Sequence, residues 1–359
     1  MPIPTTMTAV LLTGHGGPEV LEYRTDVAVP TPGPTQVLIN VLAAGVNNTD
    51  INTRTGWYAK SVTTGTTTDG GVDGEAGSWS GEPLRFPRIQ GADICGRVVA
   101  VGESIDPGRI GERVIVATMQ QAPSGEPFAC VTLGSELDGG FAQFAVIESG
   151  EAHAIETDWT DEEVASVPCA SSTAENMLDR ASVAAGDRVL VTGASGGVGV
   201  AAVQLAKRRG AHVTAVSGAA KADAVRAIGA DAVVARGADL VDALGHESVD
   251  VVVDLVAGPA WPALLDVLVR GGRYVCSGAI AGPIVELDVR TLYLKDLTLV
   301  GSTYQPPDVL NRLVGYIERD EIRPLVAATY PLGEIAAAQE AFLAKQFVGK
   351  LVLVPPPLA

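Results

Sequence analysis

One stretch limits what this chain can fold into: Arg188-Val-Leu-Val-Thr-Gly-Ala-Ser-Gly-Gly-Val-Gly-Val-Ala-Ala-Val-Gln-Leu-Ala206. Residues 188–192 are apolar and β-branched, as a buried parallel strand requires. Gly193, Gly196, Gly197 and Gly199 punctuate a tight turn, and Val198, Ala201, Ala202 and Leu205 then form a helical apolar stripe that Gly210 stops. A second apolar strand, 211–217, follows at the spacing of a βαβ unit. In such a unit glycine lets the main chain approach a pyrophosphate. The N–H groups and positive dipole end of the helix N-terminus attract it. The uncharged run 189–206 is too broken by glycine to be read as a membrane span.

From about residue 160 strands and helices alternate. A helix is expected to open at Asp161-Glu-Glu163, and others at 173–182, 221–228, Leu240–Leu244 and 263–270. Strands are expected at Ala232–Ala235, 250–256, 272–277 and 297–302 besides the two above. Six strands alternating with helices predict an α/β Rossmann domain with a doubly wound parallel sheet. Residues before 156 differ: short strands at 37–42, 93–102, 112–117 and 139–147, separated by Gly and Pro turns, predict a small, irregular β-barrel. After helices at 307–320 and 333–343 a terminal strand, 350–355, is expected to return to that first unit. The predicted division is 1–155, 156–321 and 322–359. Residues 61–82 are rich in Thr, Gly, Ser and Asp and read as a long inserted loop. Because it directly follows Tyr58, it is expected to act as a flap beside the site.

A net charge of −17 argues against nucleic acid or an anionic membrane surface as partner. The N-terminus lacks the basic and apolar regions of a secretory signal. Cys95, Cys130, Cys169 and Cys276 form no CxxC pair, so a reducing, cytoplasmic setting is expected.

The cofactor type can be argued from the second strand. A site for NAD places Asp or Glu at its end to hold the ribose hydroxyls. Here the strand ends Ala215-Val-Ser-Gly218, and no carboxylate appears until Asp223. Ser217 and Lys221 stand there instead, and Arg236 ends the third strand. Missing acid plus nearby cations predicts a bound 2′-phosphate, hence NADP(H).

Four motifs carry a family resemblance: Ala44-Gly-Val-Asn-Asn-Thr-Asp50, Gln90-Gly-Ala-Asp-Ile-Cys-Gly96, Val191-Thr-Gly-Ala-Ser-Gly-Gly-Val-Gly199 and Gly349-Lys-Leu-Val-Leu353. With them the chain resembles the medium-chain dehydrogenase/reductase superfamily, most of all its zinc-independent quinone oxidoreductase (zeta-crystallin-like) branch. The resemblance covers nearly the whole chain except the insertion. It implies a GroES-like β-barrel catalytic domain, NADPH in the interdomain cleft, and homodimers or homotetramers. By position it implies catalytic roles for Asn48, Tyr58 and Thr173. It places Ser195, Gly196, Gly197 and Val198 at the pyrophosphate and Ser277, Gly278 and Ala279 beside the nicotinamide. Gly301 and Lys350 are further cofactor contacts. In the zinc branch a Cys stands at the position of Asn47 and a His at that of Ala92. Of that set only Cys169 remains, so no metal is predicted.

Without a Lewis acid, hydride is expected to pass to an acceptor that is already electrophilic. That means a small quinone or an α,β-unsaturated carbonyl. Two rivals are an enoyl thioester (enoyl-CoA or ACP) reductase and a non-catalytic, crystallin-like NADPH-binding protein. A zinc alcohol dehydrogenase is the reading the missing ligands disfavour.

Overall fold

The computed structural model describes residues 3–66 and 83–358. Most of the predicted flap, 67–82, lies outside the described residues.

The strands Arg188–Val191, His212–Ser217, Ala232–Ala235, Val249–Asp254, Leu268–Cys276 and Thr298–Gly301 form one sheet. All its pairings are parallel. In space they run third, second, first, fourth, fifth, sixth. The order reverses between Arg188–Val191 and Val249–Asp254, which pair with Val189 opposite Val251 and Val191 opposite Val253. A crevice opens beyond the strand ends at such a reversal, where doubly wound sheets take their ligands. The central runs 189–191 and 251–253 are apolar without alternation because both faces are covered. Val189, Val191, Val251 and Val253 pack with Ala202 and Leu205 on one face. Leu190 and Val252 pack with Trp261, Leu264 and Leu265 on the other.

The N-terminal half is β-rich, as expected. Thr6–Leu12 pairs with Leu21–Ala28 and Arg88–Ile89. The long strand Gln36–Val46 is the hub of a second sheet, pairing with Cys95–Val101, Phe144–Glu148 and Lys350–Val354. Leu38, Ile39, Val98, Phe141, Phe144, Leu351 and Leu353 fill the core beneath. The pairing of Lys350–Val354 sets Leu351 opposite Val46 and Leu353 opposite Ala44, so the chain's last strand delivers Lys350 to the end of Gln36–Val46. Among the described residues no helix is long and apolar enough to cross a membrane.

Two helices matter for the site. Asn48–Thr55 interrupts the β-rich half, capped by Asp50, whose carboxylate accepts the Asn47 backbone N–H at 2.7 Å. It ends at Gly56, whose φ of 69° is the left-handed conformation glycine supplies at a helix end. Pro168–Arg180 begins five residues earlier than the expected 173. Pro168 takes the first helical turn, where its missing N–H costs nothing.

Candidate active site

The glycine turn is built for close approach. Gly193 has φ +60°, and a Cβ on Gly199 would lie 2.3 Å from the Gly193 carbonyl oxygen. The helix Gly197–Arg208 starts directly beyond it with Gly196 as its cap. Ser195, Gly197 and Val198 are half-buried and Gly196 is exposed, so the turn's backbone remains reachable. Ser277, Gly278 and Ala279 leave the fifth strand half-buried, and Gly301 ends the sixth exposed. These groups ring the crevice at the sheet's carboxyl ends.

Cations gather at the end of the second strand. Arg236 donates its backbone N–H to the Ser217 carbonyl at 2.7 Å. Lys221 donates through Nζ to the carbonyl of Lys345, a residue the sequence reading missed. Burial pushes the Lys345 ammonium down to about 8, and repulsion from Lys221 adds to this. The Lys221 ammonium is lowered by burial and by Arg236. None of the three forms an ion pair among the described residues. No carboxylate stands with them, so this corner suits a dianion.

The cleft floor is different. Lys350 is 4 % exposed and Asp93 fully buried, with Nζ 2.8 Å from Oδ2. The same ammonium donates to Asn47 Oδ1 at 2.6 Å and to the Val46 carbonyl at 3.1 Å. Asn47 Nδ2 donates to Asp93 Oδ2 at 2.8 Å. Asp93 Oδ1 accepts the Cys169 backbone N–H at 2.6 Å. Lys350 thus points its head at the floor, while its stem passes Gly197. Burial holds the Cys169 thiol well above the usual range. Burial also pushes the Asp50 carboxyl up to about 7, helped by the charge on Asp93.

The three residues proposed for chemistry come from two helices and the turn that follows the first. Asn48 Nδ2 donates to Thr66 Oγ1 at 3.3 Å, and its Oδ1 is buried without a partner among the described residues. Tyr58 follows the same helix and donates to Thr49 Oγ1 at 3.2 Å. Burial pushes its phenol up to about 12, opposed by bonds from Thr49 and Asn52. Thr173, on Pro168–Arg180, accepts Gln305 Nε2 at 3.3 Å. A cavity beside it is lined by Thr118, Met119, Pro168, Ser172, Tyr304 and Gln305. Asn176, unmarked in the sequence, ties this helix to the segment after the sixth strand by donating to Ser302 Oγ and the Tyr304 carbonyl, both at 2.9 Å. At the start of the insertion, Thr66 donates its N–H to the Ile280 carbonyl at 3.1 Å. The chain therefore crosses from Tyr58 to the loop that follows Ser277, Gly278 and Ala279.

A dinucleotide fits these residues: the glycine turn can admit a pyrophosphate at the helix N-terminus. A zinc ion does not fit. The corresponding positions hold an amide, Asn47, and a methyl, Ala92. An ammonium already takes the oxygens of Asn47 and Asp93. Among the described residues no three His, Cys, Asp or Glu side chains converge as a metal-binding group.

Comparison with known proteins agrees with the fold. Residues 33–157 match the alcohol dehydrogenase GroES-like domain, and 197–319 match the family described as zinc-binding dehydrogenase. The chain is 30% identical to the quinone oxidoreductase of Lama guanicoe, covering 97% of each. It is 30% identical to the acryloyl-coenzyme A reductase of Metallosphaera sedula, covering 97% of this chain and 99% of the other. A solved structure from Sinorhizobium meliloti 1021, described as a candidate alcohol dehydrogenase, superposes with a TM-score of 0.89. It is 48% identical, covering 99% of this chain and 98% of that one. With a Rossmann sheet, a GroES-like half and relatives along its whole length, the chain belongs to the medium-chain dehydrogenase/reductase superfamily, in its quinone oxidoreductase branch.

Proposed function

We propose that this chain is an NADPH-dependent reductase that passes hydride to a quinone or an α,β-unsaturated carbonyl without zinc. The observation that carries it is the pairing of two features of one crevice. One end holds the unpaired cations Lys221, Arg236 and Lys345. The floor bears Asn48 and Tyr58 above a donor set unsuited to a metal. Bound NADPH would supply the hydride. Ser195, Gly196, Gly197 and Val198 would hold its pyrophosphate, Ser217 and the cations its 2′-phosphate, and Ser277, Gly278 and Ala279 would flank its nicotinamide. Gly301 lies at the same rim.

The chain's own side chains then orient the acceptor. Asn48 Nδ2, held among the described residues by a 3.3 Å bond to Thr66, can turn its N–H to a substrate carbonyl and stabilise the oxyanion that develops there. The Tyr58 phenol, raised to about 12, stays protonated at neutral pH and yields its proton only to a strongly basic developing centre. Thr173 accepts from Gln305 and keeps its own hydroxyl proton to donate. The reading divides the chain into a catalytic unit, 1–155, a cofactor unit, 156–321, and a returning tail, 322–359. It takes the protein as cytoplasmic, supported by four unpaired cysteines. It also takes it as a homodimer or homotetramer. Supporting this, Thr298–Gly301 is an edge strand and Val289, Tyr293 and Leu294 just before it are exposed, an apolar surface that a second copy would cover.

The second reading, an enoyl thioester reductase, is favoured by the acryloyl-coenzyme A reductase relative. Arg180, exposed and 5.9 Å from the Phe128 ring, is a cation at the cleft's lip that a nucleotide phosphate could use. NADPH oxidation against an ortho-quinone, a 2-alkenone and an enoyl-CoA, with and without chelator, separates these. Turnover of quinone or enone indifferent to chelator is expected, and none on any acceptor would leave a crystallin-like binding protein. Tyr58→Phe should slow enone reduction about 100-fold and quinone reduction far less. Equal rates on both would reduce Tyr58 to packing.

A further inference from the structure

The lysine at the cleft floor does something other than hold the cofactor. Its ammonium is bound by the residue at the first zinc-ligand position, Asn47, and by the neighbour of the second, Asp93. The residue at the third, Cys169, donates its N–H to the other oxygen of the same carboxylate. The stem reaches this place between two glycines, one from each half of the molecule. A Cβ on Gly197 would lie 2.7 Å from Lys350 Cδ, and one on Gly45 would lie 3.1 Å from Lys350 Cε and 2.4 Å from Asp93 Oδ2. The backbone adds a further tie, since Gly349 donates its N–H to the Ser195 carbonyl at 3.0 Å.

We propose that Lys350 is an internal cation standing where a zinc dehydrogenase keeps its metal, and that it is the positioning residue that locks the cofactor turn onto the two helices carrying Asn48 and Thr173 and the turn bearing Tyr58. Three segments meet on its ion pair with Asp93. Asn47 caps Asn48–Thr55, Cys169 lies in the first turn of Pro168–Arg180, and Gly349 and Lys350 hold the turn at Ser195 and Gly197. A metal would organise these segments through ligands. Here an ammonium does so through oxygen acceptors: Val46 O, Asn47 Oδ1 and Asp93 Oδ2. The ammonium needs no loading, and its three acceptors leave no vacant coordination position for a substrate oxygen. The role in turnover rests on the reductase reading; the ion pair's role in the scaffold does not.

The test separates these two. NADPH affinity is read by fluorescence titration and kcat by turnover of an ortho-quinone at saturating NADPH, for the wild type, Lys350→Met and Lys350→Arg. A positioning residue predicts that Lys350→Met lowers kcat about 100-fold with NADPH Kd moved less than about threefold, and that Lys350→Arg restores part of the rate. The reverse split, Kd raised with kcat intact, would make Lys350 a pyrophosphate ligand and overturn the proposal. A thermal-midpoint cycle with Asp93→Asn needs no activity. The Lys350→Met/Asp93→Asn double variant should melt above Lys350→Met alone, because it no longer buries an uncompensated carboxylate. A double variant melting at or below that single one overturns the coupling, even if the wild type reduces none of the acceptors offered. Stoichiometric binding of added Co(II) by the wild type, with a thiolate charge-transfer band from Cys169, would overturn the claim that the ammonium fills the metal's place.

Discussion

Two lysine sites at opposite ends of one crevice behave differently. On the floor, Lys350 donates to three oxygens, and its partner Asp93 is itself bonded by Asn47 and Cys169. At the other end, Lys221 spends one bond on the Lys345 carbonyl, is repelled by both Arg236 and Lys345, and has no ion-pair partner among the described residues; Lys345 Nζ lies 3.7 Å over the Phe342 ring. A buried charge with all its acceptors in place belongs to the scaffold, and removing one partner from such a pair costs about 3–5 kcal/mol. Cations left unpaired and partly desolvated repel one another slightly and wait for an anion from outside. The motif that places Lys350 in the sequence suggests a cofactor contact, whereas Lys345 has no motif at all. Which of them is free to bind is set by what surrounds each ammonium, not by residue type.

The largest expected effect would break the closed end. Gly45→Ala would push a methyl to 2.4 Å from Asp93 Oδ2 and 2.7 Å from the Ala165 carbonyl, with backbone on one side and the ion pair on the other. Neither side can yield cheaply, so destabilisation of about 3 kcal/mol is expected, seen as a lowered urea midpoint, with turnover lost alongside. An unchanged midpoint would show the floor to be more compliant than its hydrogen bonds imply.

The open end should respond the other way. Lys221→Ala removes a half-buried cation that pairs with no acid, so the urea midpoint should hold within about 0.5 kcal/mol. NADPH Kd should rise about 30-fold while NADH Kd scarcely moves, the loss of one charge-assisted bond to a phosphate. Titration with both nucleotides checks this. Equal weakening of the two would remove Lys221 from the 2′-phosphate and undo the contrast between the ends.

Much of the fold could be read in the chain because the parallel sheet is covered on both faces. The central runs 189–191 and 251–253 are unbroken and apolar, and the glycine turn announces the first crossover. The helix Asn48–Thr55 could not be read that way. Its residues are mostly polar, with no apolar stripe. It is held by partners distant in sequence: Arg54 Nε donates to Gln339 Oε1 at 2.9 Å, and Gln90 Nε2 to the Asp50 carbonyl at 2.8 Å. Periodicity cannot register a helix buried through hydrogen bonds. The candidate site shows the same boundary. The positions of Ser217, Lys221 and Arg236 follow from local spacing around two strand ends. Lys345 arrives from the far end of the chain on a left-handed helix cap, φ 51°, so only the folded structure shows it beside them. Lys350 is marked by its motif, but the direction of a four-carbon stem is decided by Gly45 and Gly197, and neither glycine signals it.

The smallest effect sharpens the contrast through pH. At the open end the Lys345 ammonium, lowered to about 8 from the ordinary 10.5, begins to lose its proton in mildly alkaline solution. A phosphate dianion beside it favours the charged form, so NADPH binding near pH 8 should take up part of a proton. NADPH affinity should then fall as pH rises through about 8, by roughly tenfold at most, while NADH affinity stays flat. The apo protein has the opposite slope. Between about 8 and 10.5 the unfolded chain keeps this proton and the folded chain releases it, so this group makes folding more favourable as pH rises. Lys345→Met should abolish the NADPH slope, weaken NADPH by about tenfold at pH 7, and leave the urea midpoint unchanged or slightly raised, since a buried ammonium repelled by Lys221 is gone. Isothermal titration in two buffers of different ionisation enthalpy counts the proton directly. Proton uptake that persists in Lys345→Met would assign the titration to another group and make Lys345 a bystander to the phosphate. Uptake lost with the side chain would assign the proton to Lys345, whose ammonium is lowered first by burial and then by repulsion from Lys221, where the closed end meets its ammonium with three oxygen acceptors.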